Sequence, residues 1–103
     1  MKHFIIEVTY VVPLTKIDEM LADHRKFLQD GYNKVLLLFS GPRKPRSGGI
    51  IAARADSLEY IKSFFENDPY KINNLATYEF FEFDPVKFQP FLEDWIKLNN
   101  RNI

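Results

Sequence analysis

Among the 103 residues, two histidines, no cysteine and a few well-placed acids carry most of the reactive chemistry. His24 lies seven positions after Ile17 and shares the stripe formed by Ile17, Met20, Leu21 and Leu28. An imidazole on the inward face of a helix is a candidate acid–base group, because its charge changes near neutral pH. Asp68, ahead of Pro69 and Tyr70, is the natural carboxylate partner. A carboxylate on one imidazole nitrogen fixes the tautomer and raises the basicity of the other. That pair is the minimum equipment for general acid–base catalysis. Ser40 ends an apolar run at Ser40-Gly41-Pro42 and reads as a hydrogen-bond donor, since no base is arranged to make it a nucleophile. Arg43, Lys44 and Arg46 form a basic loop suited to clamping a carboxylate or phosphate, with Arg43 as the candidate contact. Tyr70 is a candidate for the pocket mouth. Each also has a plainer reading: a packed histidine, an Asp-Pro turn, a strand-end serine, a solvated loop.

Composition removes several function classes. Fourteen basic residues balance fourteen acidic ones, so no overall field favours nucleic acid or an anionic membrane. Without cysteine there is neither a disulfide frame nor a thiolate metal site, and two distant histidines make poor metal ligands. Glycine-rich phosphate loops and the G-x-S-x-G pattern are absent. No cofactor is therefore expected. The opening MKHFIIEVTY lacks a signal-peptide apolar run, and no apolar stretch is long enough to span a bilayer, so a cytoplasmic location is expected.

The elements that must position these residues follow from periodicity. Residues 2–12 alternate, with Phe4, Ile6, Val8 and Tyr10 on one face, and read as a strand ended by Pro13. Thr15 reads as the N-cap of a helix over about 15–30, with Asp18 as its box partner and Gly31 as its C′ residue. The run KVLLLFS over 34–40 predicts a second strand covered on both faces and stopped by Gly41-Pro42. Residues 50–53 predict a third strand. A second helix starts near Asp56 or Ser57 and ends about Asp68, where Pro69 disfavours helical geometry. Residues 76–83 predict a fourth strand, and Pro90 begins a C-terminal helix within about 88–98. The order β-α-β-β-α-β predicts a ferredoxin-like α+β domain spanning residues 1–103. Its helices cover one sheet face. A second copy of the chain is the simplest cover for the other, which predicts a twofold homodimer.

With these residues in this order, the sequence resembles the YCII-related (YciI-like) family of dimeric α+β barrel proteins. The resemblance rests on His24-Arg25-Lys26-Phe27-Leu28 with Gly31, then Ser40-Gly41-Pro42, Gly48-Gly49 and Asp68-Pro69-Tyr70, across about residues 3–84. It implies dimerisation through sheet faces and a His–Asp active site, here His24 and Asp68 with Ser40 nearby. It also implies small-molecule chemistry of the dehydrochlorination or lactone-isomerisation kind.

The expected function is cofactor-independent proton transfer of lyase or isomerase type on a small, anionic molecule. His24 and Asp68 do the chemistry, and Ser40, Arg43 and Tyr70 hold the substrate. The alternative is a non-catalytic ligand-binding or regulatory module on the same fold. A third reading makes the C-terminal helix, with Phe91, Leu92 and Trp95, a partner-recruiting surface.

Overall fold

The computed structural model describes residues 1–97. Four antiparallel strands, β1 (Lys2–Tyr10), β2 (Leu37–Pro42), β3 (Gly48–Ala55) and β4 (Ala76–Phe83), form one sheet in the order β2-β3-β1-β4. Between them run helices α1 (Leu14–Glu19), α2 (Leu21–Asn33), α3 (Leu58–Phe65) and α4 (Pro69–Ile72), and after β4 come a 3₁₀ turn (Pro90–Leu92) and α5 (Glu93–Lys97). This is the βαββαβ arrangement, with its split halves side by side.

Period-two alternation sends Phe4, Ile6 and Val8 to the helix-covered face, where they are buried with Ile51, Ala53, Ile61, Phe64 and Phe65. Fully burying such side chains contributes about 1.5–3 kcal/mol each. Phe27 of α2 stacks on Phe64 of α3 at 4.6 Å between ring centroids, which joins the two main helices over the sheet.

Several local expectations are corrected. The first helix is two helices, because Met20 leaves helical geometry at φ −108° and ψ 5°. Thr15 lies inside α1 rather than capping it; Pro13 precedes the helix, and Asp18 bonds Arg46 instead. Gly31 is not a C′ residue but a buried position in α2, where a Cβ would meet Leu37 at 2.8 Å and Phe64 at 2.9 Å. Strand β2 lies at the sheet edge and starts at Leu37 rather than Lys34; Leu36 and Leu37 are buried, while Phe39, past an irregularity after Leu37, is 55% exposed in the single chain. Edge position also explains why Gly41-Pro42 belongs to the strand, since an edge proline need not donate. Ser57, not Asp56, caps α3 by accepting from the Tyr60 N–H at 3.0 Å.

The outer sheet face is partly covered by the chain's own C-terminal segment. Arg54 is 1% exposed, although no carboxylate pairs with it among the described residues. Its Nε donates to the Val35 carbonyl (3.1 Å), its Nη1 donates to the Trp95 carbonyl (2.9 Å), and its guanidinium lies 3.9 Å from the Trp95 ring centroid. Trp95 therefore packs on Arg54 of the same chain, whereas Phe91 stays 83% exposed. Val35 is a β-branched residue at φ +58°, a conformation that costs on the order of 1–3 kcal/mol and is held here by the Arg54 bond.

Beside Arg54, buried His3 lies with Nε2 3.2 Å from the Ile96 carbonyl. Burial holds His3 below its ordinary value, with the Ile96 bond opposing and the N-terminus and Arg54 adding to the depression. A base depressed on folding binds fewer protons than in the unfolded chain, so its contribution to stability falls as pH drops below about 6.5. Melting curves between about pH 7 and pH 5 should therefore fall more steeply for the wild type than for His3→Gln, which can still donate to Ile96. Parallel curves would refute this.

Candidate active site

The break at Met20 sets the direction of α2 and turns His24 toward the sheet. Its side chain is 13% exposed, and Nδ1 lies 2.8 Å from Oδ1 of Asp68. Asp68 is fully buried because it caps α4: the same Oδ1 accepts from the Tyr70 N–H at 3.1 Å. One carboxylate thus both caps α4 and bonds His24. Oδ2 accepts a 2.6 Å bond from the Tyr78 hydroxyl. With the carboxylate ionised, all three partners donate. Nδ1 then carries the imidazole proton, and Nε2, on the ring edge away from Asp68, keeps its lone pair.

Tyr70 completes the wall. Its ring stacks on His24 at 3.9 Å with the planes 8° apart, and meets Tyr10 edge-on at 5.9 Å. The stack on Tyr70 fixes the imidazole plane that the Asp68 bond alone would leave to rotate. The Tyr70 hydroxyl is buried and has no protein partner among the described residues. Burial, reinforced by Tyr10 and Asp68, pushes it up to about 12, so it is a donor at neutral pH. Burial, followed by the Asp68 charge, pushes the Tyr78 hydroxyl up as well, so it too stays protonated.

His24 and Tyr70 line a cavity of about 470 Å³ together with Val8, Tyr10, Leu28, Ser40 and Ile51. That is within the size range of small-molecule sites, about 300–1,000 Å³. Apolar side chains make most of its floor. Ser40 is on the wall, but its hydroxyl is 2.7 Å from that of Tyr32, not bonded to His24. Arg43 is not brought to the cavity; its guanidinium lies 3.8 Å from Glu7. The cations at the wall are Arg25 and Arg46 instead. The turn between β2 and β3 carries Arg43 and Arg46 in different directions, which local sequence does not reveal. Among the described residues, no group of three or more His, Asp or Glu side chains is placed to hold a metal ion. No described helix is long and apolar enough to cross a membrane.

Tyr78 went unread in the sequence. Its signal was a tyrosine on the inward face of β4, between Ala76 and Phe80, whose hydroxyl needs a partner once buried.

A helix-backed antiparallel sheet of this topology defines a ferredoxin-like α+β fold, here with an imidazole–carboxylate pair at a cavity wall. The YCII-related domain matches residues 1–84, and the chain belongs to that family. No curated protein matches the sequence. Among solved structures, it is similar to 5-chloro-2-hydroxyhydroquinone dehydrochlorinase (TftG) from Burkholderia phenoliruptrix AC1100, in complex with 2,5-dihydroxybenzoquinone. The two share 20% identity with a TM-score of 0.64, over 84% of this chain and 93% of that one. At this identity the likeness is one of fold.

Proposed function

We propose that this chain is a cofactor-independent enzyme that moves a proton on a small organic molecule in a lyase- or isomerase-type step. The observation that carries this reading is the 2.8 Å bond between His24 Nδ1 and Asp68 Oδ1 at the wall of an apolar cavity. His24 Nε2 takes a proton from a substrate carbon or hydroxyl. The electron pair left behind moves into the adjoining π system. A leaving group then departs with its own pair, or the imidazolium returns its proton at another atom. Nothing is oxidised or reduced overall. Asp68 stabilises the imidazolium, and Tyr78 and the Tyr70 N–H hold Asp68 in place. The dehydrochlorinase that shares this fold supports the choice of reaction class.

The test is chloride release and ultraviolet change with 5-chloro-2-hydroxyhydroquinone, extended to other halogenated hydroquinones and to enol lactones. Turnover of any of them supports the reading. Binding in the cavity without turnover of any would favour a ligand-sensing module.

The working unit in this reading is a homodimer. One row across the outer sheet face, Phe39–Ala52–Ile5–Phe81, is apolar in all four strands, and Phe39, Phe81 and Phe83 are about half exposed. A twofold axis through such a row makes it self-complementary. Sedimentation velocity should give a dimer for the wild type and a monomer for Phe81→Glu. Equal masses for the two proteins would remove this face from the interface.

A further inference from the structure

The wall of the cavity carries two arginines and no carboxylate among the described residues. One of them is already engaged from outside. Arg46 Nη2 donates to Asp18 Oδ1 at 2.6 Å, a bond from the β2–β3 turn to α1. The pair is open to solvent, with side-chain exposures of 35% and 53%. Exposed ion pairs contribute little, because water competes for both charges. The turn beneath is fixed: Tyr10 N–H donates to the Ser47 carbonyl (3.0 Å), and Arg43 N–H to the Gly48 carbonyl (2.9 Å). Rotation of the Arg46 side chain alone would therefore redirect its charge.

A second, independent observation concerns the same corner. The Tyr70 hydroxyl is a buried donor with no protein acceptor among the described residues, in a residue that is 1% exposed. Leaving a buried hydroxyl unpaired is unfavourable, so an acceptor supplied by a ligand would be gained at full value. The positive charge of Arg46 acts on this hydroxyl, opposing its upward shift. Arg46 and Tyr70 both line the cavity, which also carries the ring stack of His24 and Tyr70.

We propose that Arg46 and the Tyr70 hydroxyl form an oxyanion-binding subsite, and that Asp18 holds Arg46 at the rim until a planar ligand with an ionised oxygen takes it. The mainly apolar floor of the cavity suits a ring. The subsite suits an enolate, phenolate or carboxylate on that ring. Inside the cavity such a bond is shielded from water, so it outcompetes the exposed one to Asp18. The inference rests on the cavity being the small-molecule site, but not on His24 being catalytic.

Calorimetric titration of the full chain tests it with 2,5-dihydroxybenzoquinone, which is ionised at neutral pH, with its neutral dimethyl ether, and with salicylate. The wild type should prefer the ionised ring, and Arg46→Gln should lose about tenfold or more in affinity for it. Binding of the ether should be unchanged by Arg46→Gln. Asp18→Asn should tighten the ionised ligand by about two- to fivefold, because the competitor is gone. Tyr70→Phe keeps the ring stack, so it should weaken the ionised ligand without lowering the melting temperature of the free protein. Wild-type affinity in both Arg46→Gln and Asp18→Asn overturns the proposal. So does the absence of binding by every ionised ring. Neither result bears on the catalytic reading, which stands or falls on turnover and its dependence on His24.

Discussion

Replacing His24 with Gln should lower turnover by about 100- to 10,000-fold, the range spanned by general acid–base catalysis. Gln fills much of the same space and can still donate toward Asp68, so the cavity and the fold are retained. What it lacks is the lone pair at Nε2 that receives the proton. Asp68→Asn should be comparably damaging by a different route. The bond between His24 Nδ1 and Asp68 Oδ1 selects the Nδ1–H tautomer. In Asp68→Asn the Tyr70 N–H keeps the amide oxygen at the Oδ1 position, so the tautomer is retained but the negative charge that stabilises the imidazolium is lost. The measurement is the steady-state rate of chloride release, with binding measured in parallel. A His24→Gln protein within about tenfold of wild-type turnover would exclude His24 as the proton carrier. Tyr78→Phe provides an intermediate case, since it removes one of three bonds to Asp68 and leaves the imidazole in contact.

The largest effect on stability should come from a single methyl group. Gly48 opposes Thr9 where β3 begins, and a Cβ there would stand 1.8 Å from the Val8 carbonyl oxygen and 2.8 Å from the Val8 carbonyl carbon. Both are backbone atoms of a central strand, so no side chain can rotate out of the way. Gly48→Ala must part β1 from β3, and its cost should exceed about 4 kcal/mol, the level at which point mutations become exceptional. A domain of this size has only about 5–15 kcal/mol of stability in total. The variant should be largely unfolded or insoluble at room temperature. Gly41→Ala is the matched control: nothing lies within 4 Å of its Cβ position, so its urea midpoint should stay near that of the wild type. A Gly48→Ala protein that unfolds at the wild-type midpoint would show that this approach of strands is not required.

How far the sequence reached differs from element to element. The alternation of Phe4, Ile6 and Val8 identifies the buried face of β1, and the pattern over 76–83 predicts a strand with the bounds of β4. Both depend on period two, which the pleat imposes on any half-buried strand. The run over 34–40 places its strand too early, since Val35 at φ +58° turns the chain and β2 starts only at Leu37. Position in the sheet is decided by pairing partners distant in sequence. Helix ends are less legible, because Pro13 and Met20 bound their helices through backbone geometry with no side-chain cap.

The sequence by itself determined the element order, the two-layer architecture and the residue types available for proton transfer. Tertiary structure alone decided which of them meet. His24 and Asp68 are 44 positions apart, and their bond exists because α4 begins beside the first turn of α2. Tyr78 reaches the same carboxylate from the edge of the sheet, and Arg46 rather than Arg43 is carried to the cavity. Periodicity is a local property of the chain and can be read residue by residue. Juxtaposition across the core is set by how strands register and helices pack, and no short window of sequence contains that information.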